Sequence, residues 1–170
     1  MTGLLIVFVG AATLLWLSVF GYLLLLRSMA FRRRTVVPGL SSYPDIAIVV
    51  PTLNEERLIL AKLADLRHID YPRERIAVVV VDGGSADRTT ALVQQEIERG
   101  EPIQLMRVEG AGKAQQINHA LTHVPHEIVV VTDADSLLEP ACPRELVSVL
   151  VHDPETALVG AVVRPASALL

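Results

Sequence analysis

Apolar and polar positions alternate along this chain in two different ways. Residues 4–26 form one long apolar run without a charge, whereas from about residue 45 short apolar runs are separated by polar stretches. The short runs are rich in valine and isoleucine and predict five strands, at 46–51, 75–81, 103–108, 127–132 and 157–163. The stretches between them predict four helices, at 54–66, 85–99, 113–123 and 140–152. Strands that are apolar on both faces and separated by helices predict an α/β fold, with a mostly parallel sheet covered by helices on both faces.

The long apolar run predicts a transmembrane helix. At about 1.5 Å per residue it spans roughly 35 Å, more than the bilayer core of about 30 Å. A cleaved signal peptide is the alternative, but it would need a basic start and a shorter apolar run. Arginines follow the run at positions 27, 32, 33 and 34. By the positive-inside rule they place the N-terminus outside a plasma or inner membrane and the rest of the chain in the cytoplasm.

The chain therefore divides into three predicted parts. Residues 1–34 are the anchor with its basic flank, 35–44 a linker rich in proline, glycine and serine, and 45–170 one small domain. Four of the 15 basic residues and none of the 19 acidic residues precede position 35, so the remainder is strongly acidic. This charge excludes nucleic acid as a partner. The single cysteine, Cys142, excludes an intrachain disulfide and fits a reducing compartment.

The fourth predicted strand leads directly into two aspartates, Asp133 and Asp135. On an extended chain, residues two apart point the same way, so both carboxylates would face one ligand. Such oxygen donors suit Mg²⁺ or Mn²⁺ and, through the metal, a diphosphate. The alternative is that Asp133 begins a turn and Asp135 caps the following helix near Pro140. The aspartate pair alone does not decide between the two.

The other strands also end in polar or glycine-rich chemistry. The first ends in Pro51-Thr52-Leu53-Asn54-Glu55, the second in Asp82-Gly83-Gly84-Ser85-Ala86-Asp87, and the third is followed by Gly110-Ala111-Gly112-Lys113. Because ligands of parallel sheets bind beyond the carboxyl ends of the strands, these segments predict one polar cleft. Asp82 could accept hydrogen bonds from a nucleotide or could be an ordinary turn aspartate. Lys113 opens a helix, where a cation and free amides suit phosphate.

Two common nucleotide-binding motifs are missing. A P-loop would need glycine at position 107 and serine or threonine at 114, where this chain has Arg107 and Ala114. No dinucleotide glycine fingerprint follows the first strand, which argues against an NAD enzyme.

Taken together and in this order, the four strand ends resemble family 2 glycosyltransferases, which are inverting enzymes of the GT-A fold. The matching elements are the Pro-x-x-Asn-Glu opening at 51–55, the Asp-Gly-Gly-Ser-x-Asp-x-Thr block at 82–89, Gly112-Lys113-Ala114 with Asn118, and the Asp-x-Asp signature at 133–135. The block carries glycine at position 83, where many members have a second aspartate. The resemblance covers about residues 45–165.

The resemblance implies a function and a set of roles. The uracil and ribose of a UDP-sugar would contact Pro51, Leu53, Glu55 and Asp82. The nucleotide would lie near Lys113, and the sugar-diphosphate with its Mg²⁺ or Mn²⁺ would lie at Asp133 and Asp135. The acceptor would be a growing polysaccharide or a lipid, because the preceding anchor is similar to that of the branch that includes cellulose, hyaluronan and poly-N-acetylglucosamine synthases.

The chain departs from the family pattern on the acceptor side. Inversion needs a general base, which the resemblance places downstream of Leu170. The Gln-x-x-Arg-Trp element of the processive branch is also missing, and the only tryptophan is Trp16. The expectation is therefore the donor-binding part of a transferase, with no catalytic base among these residues. The alternative is a non-catalytic module of the same fold that binds a nucleotide-sugar or a partner. A nucleotidyltransferase would show a glycine-rich, arginine-containing loop after the first strand, which is not present.

Overall fold

The computed structural model describes residues 2–31, 39–110 and 112–161. The chain consists of two compact units, Met1–Val36 and Val37–Leu170.

The first unit is a single helix, α1, at Thr2–Phe31. Its part from Thr2 to Arg27 is long and apolar enough to cross a membrane. At about 1.5 Å per residue these residues span roughly 39 Å. Length and composition alone carry this assignment, and a signal sequence would meet the same two criteria. Arg32, Arg33 and Arg34, on which the predicted orientation depends, lie outside the described residues.

The second unit alternates strands and helices in the predicted order. The elements are β1 (Ile46–Thr52), α2 (Ile59–Leu66), a 3-10 turn (Arg73–Arg75), β2 (Ile76–Asp82), α3 (Thr89–Glu98), β3 (Ile103–Arg107), α4 (Lys113–His123), β4 (Ile128–Val131) and α5 (Cys142–His152). All strand pairs are parallel. The predicted α/β fold with a parallel sheet is confirmed.

The sheet has the strand order β3-β2-β1-β4. From β1 the chain adds β2 and β3 on one side and then crosses over to place β4 on the other side of β1. The carboxyl ends of β1 and β4 therefore flank the point at which the strand order reverses, which is where α/β sheets of this kind form a ligand crevice. The register places Thr52 beside Asp82, and Asp82 beside Arg107.

The sheet is buried on both faces. One face packs against α2, α3 and α5, where the side chains of Ile59, Val93 and Val147 meet those of the strands. The other face packs against α4, whose Ala120 lies in a second cluster with Val49 and its neighbours. β1 is fully buried along its length, as expected for a central strand covered on both sides. This is why the strands read as continuous apolar runs in the sequence.

One predicted strand and the starts of three predicted helices are wrong. No strand forms at 157–161, and residues 162–163 of that predicted strand lie outside the described part of the chain. Leu158 is 88% exposed. Apolar composition favours a strand, but a strand also needs a hydrogen-bonded neighbour, which is not present here. Helix α2 begins at Ile59 rather than near residue 54, α3 at Thr89 rather than near 85, and α5 at Cys142 rather than at 140.

A buried carboxylate links α2 to α3. Glu96 is 6% exposed and accepts hydrogen bonds from Arg67 at 2.5 Å and from Arg99. Arg67 also pairs with Glu101 at 3.1 Å. The hydrogen bonds from Arg67 and Arg99 hold the pKa of Glu96 below its usual value, although burial opposes them.

Acid should therefore weaken the fold through Glu96. A carboxyl group whose pKa is lower in the folded than in the unfolded state stabilises the folded state at pH values above the unfolded pKa, which is about 4.3 for glutamate. This stabilisation is lost as the pH falls through the folded-state pKa. We expect the free energy of unfolding of the full chain to fall below about pH 4.5, and to fall less steeply in Glu96→Gln. Urea unfolding at several pH values, followed by circular dichroism, measures both slopes. Equal slopes in the two proteins would contradict this role of Glu96.

Candidate functional site

The two aspartates lie on a loop that follows β4, which we call the aspartate loop (residues 132–138). β4 ends at Val131, and the amide of Thr132 still donates to the Val49 carbonyl at 3.1 Å. The chain then turns, and the hydroxyl of Ser136 donates to the Asp133 carbonyl at 3.0 Å. The expectation that an extended strand carries both aspartates is therefore wrong. Because Ala134 between them is buried in the core, the two carboxylates lie on the more exposed part of the turn.

The helix-capping alternative for Asp135 is also excluded. Helix α5 begins at Cys142, its N-terminal flanking residue is Ala141, and no side chain caps it. Asp133 does begin a turn, as that alternative held. Turn geometry and metal binding are compatible, because the turn leaves the carboxylates accessible.

Lys113 meets Asp133 directly. Its ammonium lies 2.5 Å from Asp133 Oδ1, and the two side chains are 57% and 47% exposed. Lys113 is the first residue of α4, and the preceding Gly112 amide donates to Gln115 Oε1 at 3.2 Å. The loop after β3 therefore reaches across to the end of β4. An exposed pair of this kind contributes at most about 1 kcal/mol to stability, so its position matters more than its energy.

The loops after β1 and β2 are joined by hydrogen bonds. Asn54 adopts a left-handed backbone conformation with φ 58°, its amide donates to Ser85 Oγ at 2.9 Å, and its side chain accepts from the Ala86 amide at 2.9 Å. The Glu55 amide donates to Thr89 Oγ1 at 2.8 Å. A non-glycine residue in this conformation is uncommon, and here contacts from the neighbouring loop hold it in place.

Asp87 also joins the loop after β1 to the loop after β2. Its carboxylate accepts from the Glu56 amide at 3.0 Å and from the amide of Thr89 at 2.9 Å. Desolvation raises the pKa of Asp87, but the hydrogen bonds from Thr89 and from the Glu56 amide outweigh it and lower the pKa overall. Residues 54–56 are thus used to join two loops, which is the physical reason why α2 begins later than the sequence predicted.

Asp82 lies at the carboxyl end of β2 and is 2% exposed. Its carboxylate accepts from the Gly84 amide at 3.1 Å, the Ser85 amide at 3.0 Å and the Ser85 hydroxyl. Gly84 has φ 98°, and a Cβ there would lie 3.3 Å from the Gly110 amide nitrogen, so glycine lets the loops after β2 and β3 approach closely. Asp82 therefore fixes the turn that follows β2 through these hydrogen bonds.

The remaining predicted residues lie along β1 and just after it. Pro51 is buried in β1, opposite Val81. β4 pairs with β1 only as far as Val49, so by Pro51 one side of β1 is open, and a residue without an amide hydrogen is tolerated. Leu53 is 49% exposed and Glu55 is half-buried.

One residue at the site was missed by the sequence analysis. Lys62 of α2 is 1% exposed, and its ammonium donates to Thr132 Oγ1 at 2.9 Å and to the Ser136 carbonyl at 2.7 Å. Burial lowers the pKa of Lys62, while the carboxylates of Asp65, Asp133 and Asp135 oppose that shift. The helical spacing is a signal for it, because Lys62 falls on the same face of α2 as the apolar residues Ile59, Leu63 and Leu66.

The two carboxylates of the aspartate loop fit a hard divalent ion whose other ligands come from water and a bound phosphate. Within residues 2–31, 39–110 and 112–161, no group of three or more histidine, cysteine or carboxylate side chains could hold a metal. An ion at the aspartate loop would therefore take two carboxylates, Asp133 and Asp135, and complete its coordination with phosphate oxygens and water. Mg²⁺ is commonly held in that way.

The fold and this arrangement define a parallel α/β domain with polar loops at the carboxyl ends of β1 and β4, the edge at which such folds bind their ligands. Comparison with known proteins identifies the family. Residues 47–168 match glycosyl transferase family 2, and the chain belongs to that family.

Curated relatives include enzymes of polysaccharide and lipid synthesis. The chain is 26% identical over 162 residues to the probable glycosyltransferase YdaM of Bacillus subtilis, covering 87% of this chain and 38% of YdaM. It is 35% identical over 98 residues to beta-monoglucosyldiacylglycerol synthase of Synechocystis, covering 55% and 20%. It is 25% identical over 134 residues to poly-beta-1,6-N-acetyl-D-glucosamine synthase of Staphylococcus aureus, covering 74% and 32%. The chain thus spans less than half the length of these relatives.

Solved structures share the fold. The mannosyltransferase PcManGT of Pyrobaculum calidifontis, in complex with GDP-Man and Mn²⁺, is 36% identical with a TM-score of 0.69, covering 82% of this chain and 43% of that one. The S. aureus protein TarS (residues 1–349), in complex with UDP-GlcNAc, is 26% identical with a TM-score of 0.52, covering 64% and 31%.

Proposed function

We propose that this chain provides the donor-binding part of a membrane-anchored glycosyltransferase that binds a nucleotide-sugar, preferably a UDP-sugar, together with Mg²⁺ or Mn²⁺. The observation that carries the proposal is the contact between Lys113 and Asp133 at the crevice between β1 and β4. A cation and two carboxylates at one strand edge are complementary to a diphosphate and its metal. Membership of glycosyl transferase family 2 supports the reaction class.

We propose the roles that the family resemblance implies for these residues. Pro51, Leu53 and Glu55 line the end of β1, next to the turn built on Asp82, and would contact the base and ribose. Lys113, which pairs with Asp133, would contact a phosphate oxygen if the metal held that carboxylate. Asp133 and Asp135 would hold the ion. Once bound, the metal would neutralise the diphosphate and make it a better leaving group.

The transfer step is proposed from the family. Inversion implies that the acceptor hydroxyl attacks the sugar on the face opposite the diphosphate, after losing its proton to a base. The acceptor is proposed to be a saccharide or a lipid, because relatives include a poly-N-acetylglucosamine synthase and a glucosyldiacylglycerol synthase. Helix α1 would keep the domain at the membrane, where such acceptors are found.

The test is calorimetric titration of the full chain, in detergent, with nucleoside diphosphates. We expect UDP to bind when Mn²⁺ or Mg²⁺ is present and to lose most of its affinity when EDTA removes the ion, because two carboxylates would otherwise face a diphosphate without neutralisation. UMP is the matched control ligand, since it keeps the base and ribose but lacks the second phosphate. It should bind more weakly than UDP and depend less on the ion.

Three results would contradict parts of the proposal. Equal UDP affinity with and without EDTA would contradict the proposal that a metal ion takes part in donor binding. Tighter binding of GDP than of UDP would contradict the proposal that the donor nucleotide carries uracil. A chain that binds no nucleoside diphosphate under any of these conditions would overturn the donor-binding function.

A further inference from the structure

Hydrogen bonds from the buried side of helix α2 hold the aspartate loop. The ammonium of Lys62 has three hydrogen-bond acceptors, Asp65 Oδ2 at 3.4 Å, Thr132 Oγ1 at 2.9 Å and the Ser136 carbonyl at 2.7 Å. An ammonium carries three N–H donors, so all three have a partner. This is how a charge with no exposed side-chain surface is tolerated in the interior.

The attachment points bracket the two aspartates. Thr132 immediately precedes Asp133, and Ser136 immediately follows Asp135. The two hydroxyls also lie 3.1 Å apart, which closes the loop around the ammonium. Asp65, the carboxylate partner of Lys62, accepts from the Leu138 amide at 3.1 Å and so holds the far end of the loop. One helix therefore ties the loop at its beginning, middle and end.

Lys62 and Lys113 differ in solvent exposure and therefore in whether a ligand can contact them. Lys113 is more than half exposed and contacts Asp133 from the solvent side, where a ligand would displace it. Lys62 has no exposed side-chain surface, so a ligand on the solvent side of the loop would not contact it. Its charge also acts on Asp133 and Asp135, whose mutual repulsion would otherwise favour spreading the loop.

We propose that Lys62 is a positioning residue for the donor site, which fixes the backbone of the aspartate loop so that Asp133 and Asp135 are held in place before the metal arrives. The inference rests on the proposed function, in which those aspartates bind the ion. Groups that support metal ligands without touching the metal typically change metal affinity by about 10- to 100-fold when they are removed. A purely structural lysine would lower stability but leave the affinity of the folded protein unchanged.

The test compares the full-length wild type with Lys62→Met, which keeps an unbranched apolar side chain and removes the charge and the donors. We expect Mn²⁺ to bind the folded variant about 10- to 100-fold more weakly in the presence of UDP. In the metal-free protein, we expect faster hydrogen exchange of the amides of Ser136 and Leu138, and unchanged exchange in β1. Glu96→Gln is the matched control, because it changes a buried ionised side chain that does not touch the loop. It should leave both readouts unchanged.

The outcomes separate this inference from the proposed function. If the wild type binds Mn²⁺ with UDP and folded Lys62→Met does so with the same affinity and loop protection, the positioning role is overturned. If the wild type binds no ion, the proposed metal role of Asp133 and Asp135 is overturned, and loop exchange in the metal-free variant still decides whether Lys62 orders the loop. If Lys62→Met does not fold, Thr132→Val removes one of its acceptors on the loop. That variant should weaken ion binding and increase loop exchange, and unchanged values would overturn the proposal.

Discussion

Replacing Asp135 with asparagine should abolish metal-supported nucleotide binding while leaving the fold intact. Asp135 is exposed on the turn after β4, so its replacement should change the free energy of unfolding by less than about 0.5 kcal/mol. As a proposed direct ligand it should affect affinity more than a supporting group does. We therefore expect UDP to bind more than about 100-fold more weakly in the presence of Mn²⁺. Calorimetry with the full chain in detergent measures the affinity.

Asp70→Asn is the matched control for this variant. Asp70 is also an exposed acid, and it pairs with Arg144 at 2.5 Å, but it precedes β2 at the edge where the strands begin. It should bind UDP and Mn²⁺ like the wild type. Asp133→Asn should behave like Asp135→Asn, because both carboxylates are proposed to share the ion. If folded Asp135→Asn binds UDP with wild-type affinity in the presence of Mn²⁺, Asp135 is not a metal ligand.

Truncating Ile48 should produce a large loss of stability. Ile48 is fully buried in the central strand and belongs to the larger core cluster. Removing most of a buried isoleucine side chain costs about 2–5 kcal/mol, since the transfer free energy is lost and a cavity remains. We expect Ile48→Ala to lower the free energy of unfolding by that amount. Urea unfolding followed by circular dichroism measures it, whereas the fluorescence of Trp16, the only tryptophan, would report on α1 instead.

Leu158→Ala provides the comparison for Ile48→Ala. The Leu158 side chain is 88% exposed, so its truncation should change stability by less than about 0.5 kcal/mol. Should Leu158→Ala prove as destabilising as Ile48→Ala, residue 158 would be buried in solution, and the absence of a strand at 157–161 would have to be revised.

Elements defined by local patterns were predicted well. Helix α4 has the predicted bounds, Lys113 and His123, because glycines precede it and a proline follows shortly after it. The four strands that form were predicted to within two residues at either end; the match is clearest for β1, whose apolar run coincides with a fully buried segment. The predicted fifth strand failed because composition does not provide a neighbouring strand to pair with.

The start of α2 illustrates what a local pattern misses. Asn54 followed by two glutamates reads as a helix start, yet Ser85, Ala86 and Asp87 hold residues 54–56 outside the helix. These partners are 31 or 32 residues away in the sequence, so no local window contains them. Lys62 was overlooked for a related reason. A lysine is expected to be solvated even on an apolar helix face, and two of the three acceptors that allow its burial lie on the aspartate loop, 70 or more positions away.

The sequence by itself determined the fold class and the family. Valine-rich runs separated by helices specify a covered parallel sheet, and the motifs at four strand ends match one family. Only the tertiary structure decided how those motifs are arranged. The strand order places β4 beside β1, and the crossover through α4 brings Lys113 to Asp133. It also decided that the two aspartates lie on a turn above a buried lysine. The physical reason is that sheet order and long-range hydrogen bonds depend on how the elements pack together, whereas periodicity reports only which face of each element is buried.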